Sequence, residues 1–490
     1  MKAVVTTAEQ LQASGRRLDG SYHASDGVKA LRFVRQWAGL PPIPAAPKAG
    51  RVVERTLSYG SRRLDTLGEV CVSDGIFIPS RFKRIFVDDP EHGAPYLTGG
   101  SIMQADPLRG AKLLSYRFTR NMDKLVLRER MILVTCSGTI GNSAYVNANF
   151  KGAVGSPDLL RIVADSTKIP PGYLYAFLSS SMGKAIIEQK TYGAVVPHIE
   201  AHHMVDLPIP RLDPATEQRI HELVERAASL RVSANQKLKR VYERFEHEVL
   251  GISAWKWRCD NEHAYTVGIA KLDSKHYRLD AFHYVGYVHE AVSILKTSSY
   301  LGELIEPYQP PIFKRPYTGE TGIPFLSGMD LYNSYPKPRM YISRQMKNLE
   351  RYIVEAGTIL VQNVGQRYGL FGRPTILPKH LDQVAVTQHL MRVYVKDPRD
   401  RGFVYVWLST EFGRRLLLKQ SFGTSMGVLF EHSFNEMPVP ACSSELRFSF
   451  ETEISEICEQ RETANELEDQ AQALLVEALE LSKTTQPEAQ

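Results

Sequence analysis

Apolar and polar positions follow two different rhythms along this chain. Through most of its length, short β-rich runs such as RMILVTCSG and GTILVQNVG end in glycine and pass into turn residues, as strands leading into tight loops do. After LPIPRLDP, and again after MPVPACSS, the rhythm changes to spacings of three and four. Ile220, Leu223, Ala227, Leu230, Ala234, Leu238, Val241 and Phe245 draw one apolar stripe, and Phe450, Ile454, Ile457, Ala464, Leu467, Ala471, Leu474 and Ala478 draw a second. Each stripe predicts a long helix, over 213–250 and 443–482. A helix of about 33 residues spans roughly 50 Å, too long to bury its stripe on one small domain. Pairing of the two helices as a coiled coil is therefore expected, in preference to each packing only on its own neighbourhood.

The strand-rich parts are two copies of one pattern. GYLYAFLSSSMG, Gly172 to Gly183, returns as GFVYVWLSTEFG, Gly402 to Gly413, at an offset of 230 residues. At the same offset TYG (Thr191 to Gly193) meets SFG (Ser421 to Gly423), and LPIP (Leu207 to Pro210) meets MPVP (Met437 to Pro440). Upstream, ILV at Ile132 meets ILV at Ile359, PYLTGG at Pro95 meets PFLSGM at Pro324, FKR at Phe82 meets FKR at Phe313, and LGEV at Leu67 meets LGEL at Leu301. RLD at Arg17 and at Arg278 is the earliest match; its offset of 261, against 234 for LGE, leaves 27 extra residues in copy one. The proline-rich GLPPIPAAPKAG, 39–50, is the natural place for them. A repeat this long means duplicated α+β domains, not a solenoid.

Length supports the same division, since 490 residues exceed what one core usually organises. No run of eighteen apolar residues predicts a membrane span, and the N-terminus lacks a secretion signal, so a cytoplasmic location is expected. Five cysteines without a C-x-x-C pair indicate neither a disulfide framework nor a zinc ribbon. A net charge of +6 permits a nucleic-acid partner without demanding one, and the distribution says more than the total. Seven Lys or Arg face six Glu between Glu217 and Val249, whereas two Arg face eleven acidic residues between Glu445 and Glu480, so the predicted helices complement each other.

Catalytic constellations are weak. Pro157-Asp158 followed by Glu188-Gln189-Lys190 has the shape of a magnesium-dependent nuclease core, but copy two holds Gln388-His389 and Leu418-Lys419-Gln420 there. HIEAHH, His198 to His203, places its glutamate one position late for the H-E-x-x-H zinc pattern. Neither a dinucleotide fingerprint nor a phosphate loop is present. What recurs is cation beside aromatic: Phe82 with Lys83 and Arg84, Phe313 with Lys314 and Arg315, Tyr116 with Arg117 and Arg120, Lys190 with Tyr192, and Arg367 with Tyr368. Basic groups bind phosphates, while Arg, Asn and Gln read base edges. Lys83, Arg84, Arg117, Arg120, Lys190, Tyr192, Lys314, Arg315, Arg367, Tyr368 and Gln420 are accordingly the candidate DNA-binding residues.

Two α+β copies that open near RLD, pass through LGE, ILV…G and SFG-like loops, and close on PIP…EQ into a long helix resemble the specificity subunit of Type I restriction-modification enzymes. LPIPRLDPATEQRI is the most diagnostic segment, and the resemblance runs from Arg17 to Leu481. Copy two departs from it by ending ACSSELRFSF, without the EQ that opens the first helix. The resemblance implies target-recognition domains over 1–212 and 251–442, spacer helices over 213–250 and 443–482, a disordered tail over 483–490, and two antiparallel helices related by a pseudo-two-fold. It implies a non-catalytic chain that reads a bipartite, asymmetric double-stranded DNA target. Two modification subunits carrying S-adenosylmethionine and restriction subunits carrying ATP and Mg²⁺ would be its partners. The helix seam would comprise Ile220, Leu223, Leu230, Leu238, Phe245, Ile454, Ile457, Leu467 and Leu474, leaving Val224, Leu475 and Leu479 for a partner helix. The alternatives are the recognition subunit of another methylation-based phage-defence system, a single-chain nuclease, and a coiled-coil adaptor.

Overall fold

The computed structural model describes residues 25–40, 57–59, 62–191, 198–251, 266, 268–269, 278, 281–284, 295, 297–366, 369–423 and 426–484. The chain divides into two compact units, Met1–Val232 with Thr463–Gln490, and Ser233–Glu462. The Arg17 motif and the 39–50 excursion beyond Leu40 lie outside the described residues.

In unit 1 the Ile132–Thr135 strand lies inside an antiparallel sheet ordered Cys71–Phe77, Leu159–Ala164, Ile132–Thr135, Ser143–Tyr145. Ile132, Leu133 and Val134 are apolar without alternation because both faces are covered. A second sheet, ordered Phe86–Val87, Lys112–Ser115, Gly93–Leu97, Val154–Gly155, is antiparallel except for its last pair. Unit 2 repeats both. Ile359–Gln362 sits between Leu390–Val395 and Pro374–Ile376, with Ile305–Tyr308 at the edge. Tyr317–Thr318, Met340–Ile342, Ile323–Leu326 and Val384–Val386 form the second sheet, the last pair again parallel, and Ile353–Val354 extends it.

The short motifs of the repeat are joints of this frame. In LGE, Leu67 and Leu301 are fully buried and donate their amides to the carbonyls of Leu207 and Met437, 2.8 Å in each unit, which ties LGE to the LPIP or MPVP strand. The glutamates turn back as caps, Glu69 accepting from the Thr66 amide at 2.8 Å and Glu303 from the Tyr300 amide at 3.0 Å.

The twelve-residue motif makes a helical hairpin, Pro171–Ser179 into Ser181–Gln189 in unit 1 and Arg401–Ser409 into Glu411–Lys419 in unit 2. Its Ser or Thr caps the second helix, since the Ser180 hydroxyl accepts from the Gly183 amide at 2.9 Å and that of Thr410 from Gly413 at 3.0 Å. A Cβ on Gly183 or Gly413 would lie 2.0 Å from the carbonyl oxygen of Phe177 or Trp407. The first glycine of the motif meets a long helix. A Cβ on Gly172 would stand 3.0 Å from His221 Cα, and one on Gly402 would stand 2.4 Å from Glu451 Cα.

The long helices are Pro214–Glu248 and Ser444–Thr484, and within each unit their segments pair antiparallel. In unit 1 Arg231 bonds to Glu468 and, at 3.0 Å, to Asn465, while Ala227, Ala464 and Leu467 pack with Leu223 and Leu230. In unit 2 Asn235 accepts from Arg461 at 2.9 Å, Lys237 meets Glu456 at 3.2 Å, and Arg244 meets Glu453 at 2.8 Å. The stripes also pack on the body of each unit. Ile220 and Leu474 join the core of unit 1, whereas Leu238, Phe245, Ile454 and Ile457 are buried in that of unit 2 around Phe403 and Trp407. Val224, Leu475 and Leu479 correct the expectation made for them. They are 2%, 1% and 1% exposed in the unit 1 core, consumed by their own domain and closed to a partner helix.

Candidate nucleic-acid interface

Each FKR segment is pinned to the second sheet of its unit by its phenylalanine. Phe82 packs on Ala94, Tyr96, Leu114 and Leu125, while Phe313 lies against the ring of Tyr352 at 4.0 Å and that of Phe325 at 6.2 Å. That anchor lays the arginine two residues on over an aromatic ring of the Gly93–Leu97 strand in unit 1 and of the Ile323–Leu326 strand in unit 2. The Arg84 guanidinium is 5.8 Å from the Tyr96 ring, and that of Arg315 is 5.4 Å from the Phe325 ring. A third ring closes each group edge-on, Phe86 against Tyr96 at 5.7 Å and Tyr317 against Phe325 at 6.3 Å. Phe86 and Tyr317 are solvent-exposed while Tyr96 and Phe325 are buried beneath them, so each unit shows its surface the same edge ring beside an arginine that lies over a buried one.

Beside the triad the parallel strand ends in a short turn, Ser156-Pro157-Asp158 in unit 1 and Thr387-Gln388-His389 in unit 2. The two turns share their supports. Ser156 and Thr387 donate their amides to Leu97 and Leu326 at 2.8 and 3.1 Å, and their hydroxyls accept from the amides of Asp158 and His389 at 3.1 and 3.4 Å. From the core side, one fully buried arginine braces each turn. Arg161 donates to the carbonyls of Gly155, Ser156 and Leu159, and Arg392 donates to those of Val386, Thr387 and Leu390. Burial lowers both arginines to about 10, which still leaves a cation at neutral pH held by carbonyl dipoles. In unit 2 Arg315 reaches over the turn, donating to Thr387 Oγ1 at 3.2 Å and Gln388 Oε1 at 3.4 Å. Burial, then the Arg315 charge, holds His389 below the usual histidine range.

The candidate residues do not converge on one place. Lys83, Arg84 and Lys314 are exposed at the triads, and Arg117 and Arg120 are exposed further along unit 1, Arg117 lying 5.3 Å from the Phe118 ring. Lys190 is paired with Asp206 at 2.9 Å. Gln420 is half-buried, and its carbonyl accepts from the buried Arg278 at 3.1 Å. Tyr192, Arg367 and Tyr368 lie outside the described residues. The nuclease-like residues are engaged separately, Asp158 with Arg81 at 3.7 Å, Glu188 with Lys184 at 3.8 Å and Lys190 with Asp206. Among the described residues no group of three His, Cys, Asp or Glu is placed to hold a metal. None of their helices is long and apolar enough to cross a membrane.

Motif reading passed over the aromatic partners Tyr96 and Phe325, the edge rings Phe86 and Tyr317, the two turns, and Arg161 and Arg392. A signal existed for the last pair, because an arginine interrupts an apolar strand at the same place in LLRIV and LMRVY.

By sequence no protein family and no curated protein matches the chain. Its structure is similar to a number of solved ones, among them the following. The S subunit of a Type I restriction-modification system from M. genitalium matches at 14% identity over 90% of this chain and 99% of that one, with a TM-score of 0.32. The HsdS subunit from Thermoanaerobacter tengcongensis matches at 17% identity over 87% and 99%, with a TM-score of 0.27. A chain from a structure addressing complex assembly and conformational transition of the type I R-M system matches at 17% identity over 85% and 97%, with a TM-score of 0.26.

Proposed function

We propose that this chain is a sequence-specific DNA-recognition subunit of a Type I restriction-modification complex, reading a bipartite, asymmetric target with one half-site per unit. The observation that carries this reading is the duplicated triad beside a duplicated turn, built on one frame but bearing different side chains. Equivalent frames favour equivalent docking on a duplex, and different side chains favour different half-sites. Adenine methylation, ATP-driven translocation and cleavage belong to partner subunits that carry S-adenosylmethionine, ATP and Mg²⁺. This chain contributes the address and no catalysis, acting with those partners in the cytoplasm.

Methylation-sensitive sequencing of DNA modified by the complex containing this chain tests the reading. Two short unrelated sequences separated by a fixed unspecific gap are expected. A single contiguous motif, a perfect palindrome, or pure chain cutting DNA with Mg²⁺ would refute it.

A further inference from the structure

The triads and turns are nearly superposable in their bonding, so the positions where the units part company are informative. Two stand out, and they are partners. In unit 1 Arg81, just before FKR, meets Asp158, the last residue of the turn, at 3.7 Å. The equivalent residues in unit 2, fixed by the FKR register and by the Arg161 and Arg392 register, are Ile312 and His389. An ion pair has thus become an aliphatic and an imidazole on an otherwise preserved frame.

Neither pair is explained by stability. The side chains of Arg81 and Asp158 are 79% and 37% exposed, where solvent screening leaves an ion pair worth little. Ile312 is 85% exposed, an apolar side chain turned to water beside the basic Lys314 and Arg315. The frame holds each turn through main-chain groups and the first residue's hydroxyl, so neither third side chain braces it; that of Asp158 meets Arg81, and that of His389 meets Gln388 Nε2 at 3.1 Å within the turn.

We infer that these two positions form a reading pair that specifies one base pair in each half-site, which deepens the proposed DNA-recognition function and rests on it. The chemistry of the partners names the base pairs. A guanidinium donates to guanine O6 and N7 in the major groove, and a carboxylate beside it accepts from the cytosine N4 amino group, so Arg81 with Asp158 matches both halves of a G·C pair. In unit 2, Ile312 offers an apolar contact to the thymine methyl group and rejects the polar edge of cytosine. Unit 2 therefore reads a T·A pair at the equivalent position.

The test grafts one pair onto the other frame. The complete methyltransferase complex carrying Arg81→Ile and Asp158→His together is compared with wild type by sequencing of methylated DNA. One G·C position in one half-site is expected to turn to T·A, with about fivefold to 150-fold loss of the original preference, while the other half-site and the gap stay unchanged. Should the graft methylate too little to sequence, equilibrium binding of the same complex and of Asp158→Asn to duplexes bearing each single base-pair change reads the same preference. A bipartite wild-type motif with base preferences unchanged in these variants overturns the reading pair alone, as does a change in both half-sites. A wild-type complex without a bipartite motif overturns the proposed function and this inference with it.

Discussion

Replacing Gly402 by alanine probes the joint between the hairpin of unit 2 and the second long helix. The added Cβ would stand 2.4 Å from Glu451 Cα, 2.5 Å from its amide nitrogen and 2.5 Å from the Phe450 carbonyl oxygen, all backbone atoms of a helix. Carbon atoms settle near 3.5 Å or beyond, so the helices must part by about 1 Å. Phe403, Trp407 and Phe450 fill that contact with no exposed surface, and loosening it costs about 1–3 kcal/mol. The shift also stretches the 2.7 Å bond from the Gly402 amide to Glu451 Oε2, a charge-assisted contact worth about 1.5–3 kcal/mol. Alanine's better helix propensity returns about 1 kcal/mol. The net loss is roughly 1.5–5 kcal/mol, a melting point lowered by roughly 3–20 °C for a unit of this size. Scanning calorimetry of the full chain measures it, with Gly319→Ala as control because a Cβ there meets nothing within 4 Å. A Gly402→Ala chain that melts within about 1 °C of wild type would show that this contact does not set the helix spacing.

Lys314→Ala should weaken DNA binding and reduce its salt slope by about one unit without changing base preference, whereas Arg315→Ala should also blur preference, because Arg315 touches the turn. Binding titrations against salt on cognate and altered duplexes separate the two, and identical behaviour of both variants would count against the division. Burial pushes the Cys71 and Cys136 thiols from the ordinary 9.0 up to about 12 and about 11. Above pH 9 the unfolded chain sheds these protons while the folded chain keeps them, so stability should fall as pH rises from 9 toward 11–12. Urea midpoints at pH 8 and 10.5 check this, and Cys71→Ala with Cys136→Ala should flatten the trend.

The duplication was legible because its markers are backbone necessities. Gly172, Gly183, Gly402 and Gly413 have no room for a Cβ, and the LGE glutamates cap helices, so these letters survive where surrounding ones drift. The long helices were legible from their stripes, but which neighbour covers each residue was not. Val224 and Leu479 lie off the seam on the helical wheel, yet the body of unit 1 covers them. Leu238 is covered by the body of its own unit, and its burial in the unit 2 core means that an aspartate there would damage a domain as well as a helix pair. Tyr96 lies twelve residues after Arg84 and Phe325 ten after Arg315, and only strand pairing brings them together. The turns were hidden for the same reason, since a parallel strand pair is formed by residues distant in sequence.

Unit 1 takes its last helical segment from beyond Thr463, whereas unit 2 is one continuous stretch, Ser233–Glu462. On a ribosome the second domain in the sequence thus becomes complete first. The opening 232 residues must wait, with the surfaces meant for Ala471, Leu475 and Leu479 uncovered, until the closing helix emerges. Such exposed apolar surface is a target for chaperones and a risk of misassembly. A stop codon after Glu462 would consequently strip a wall from the domain made earliest and leave the later one whole.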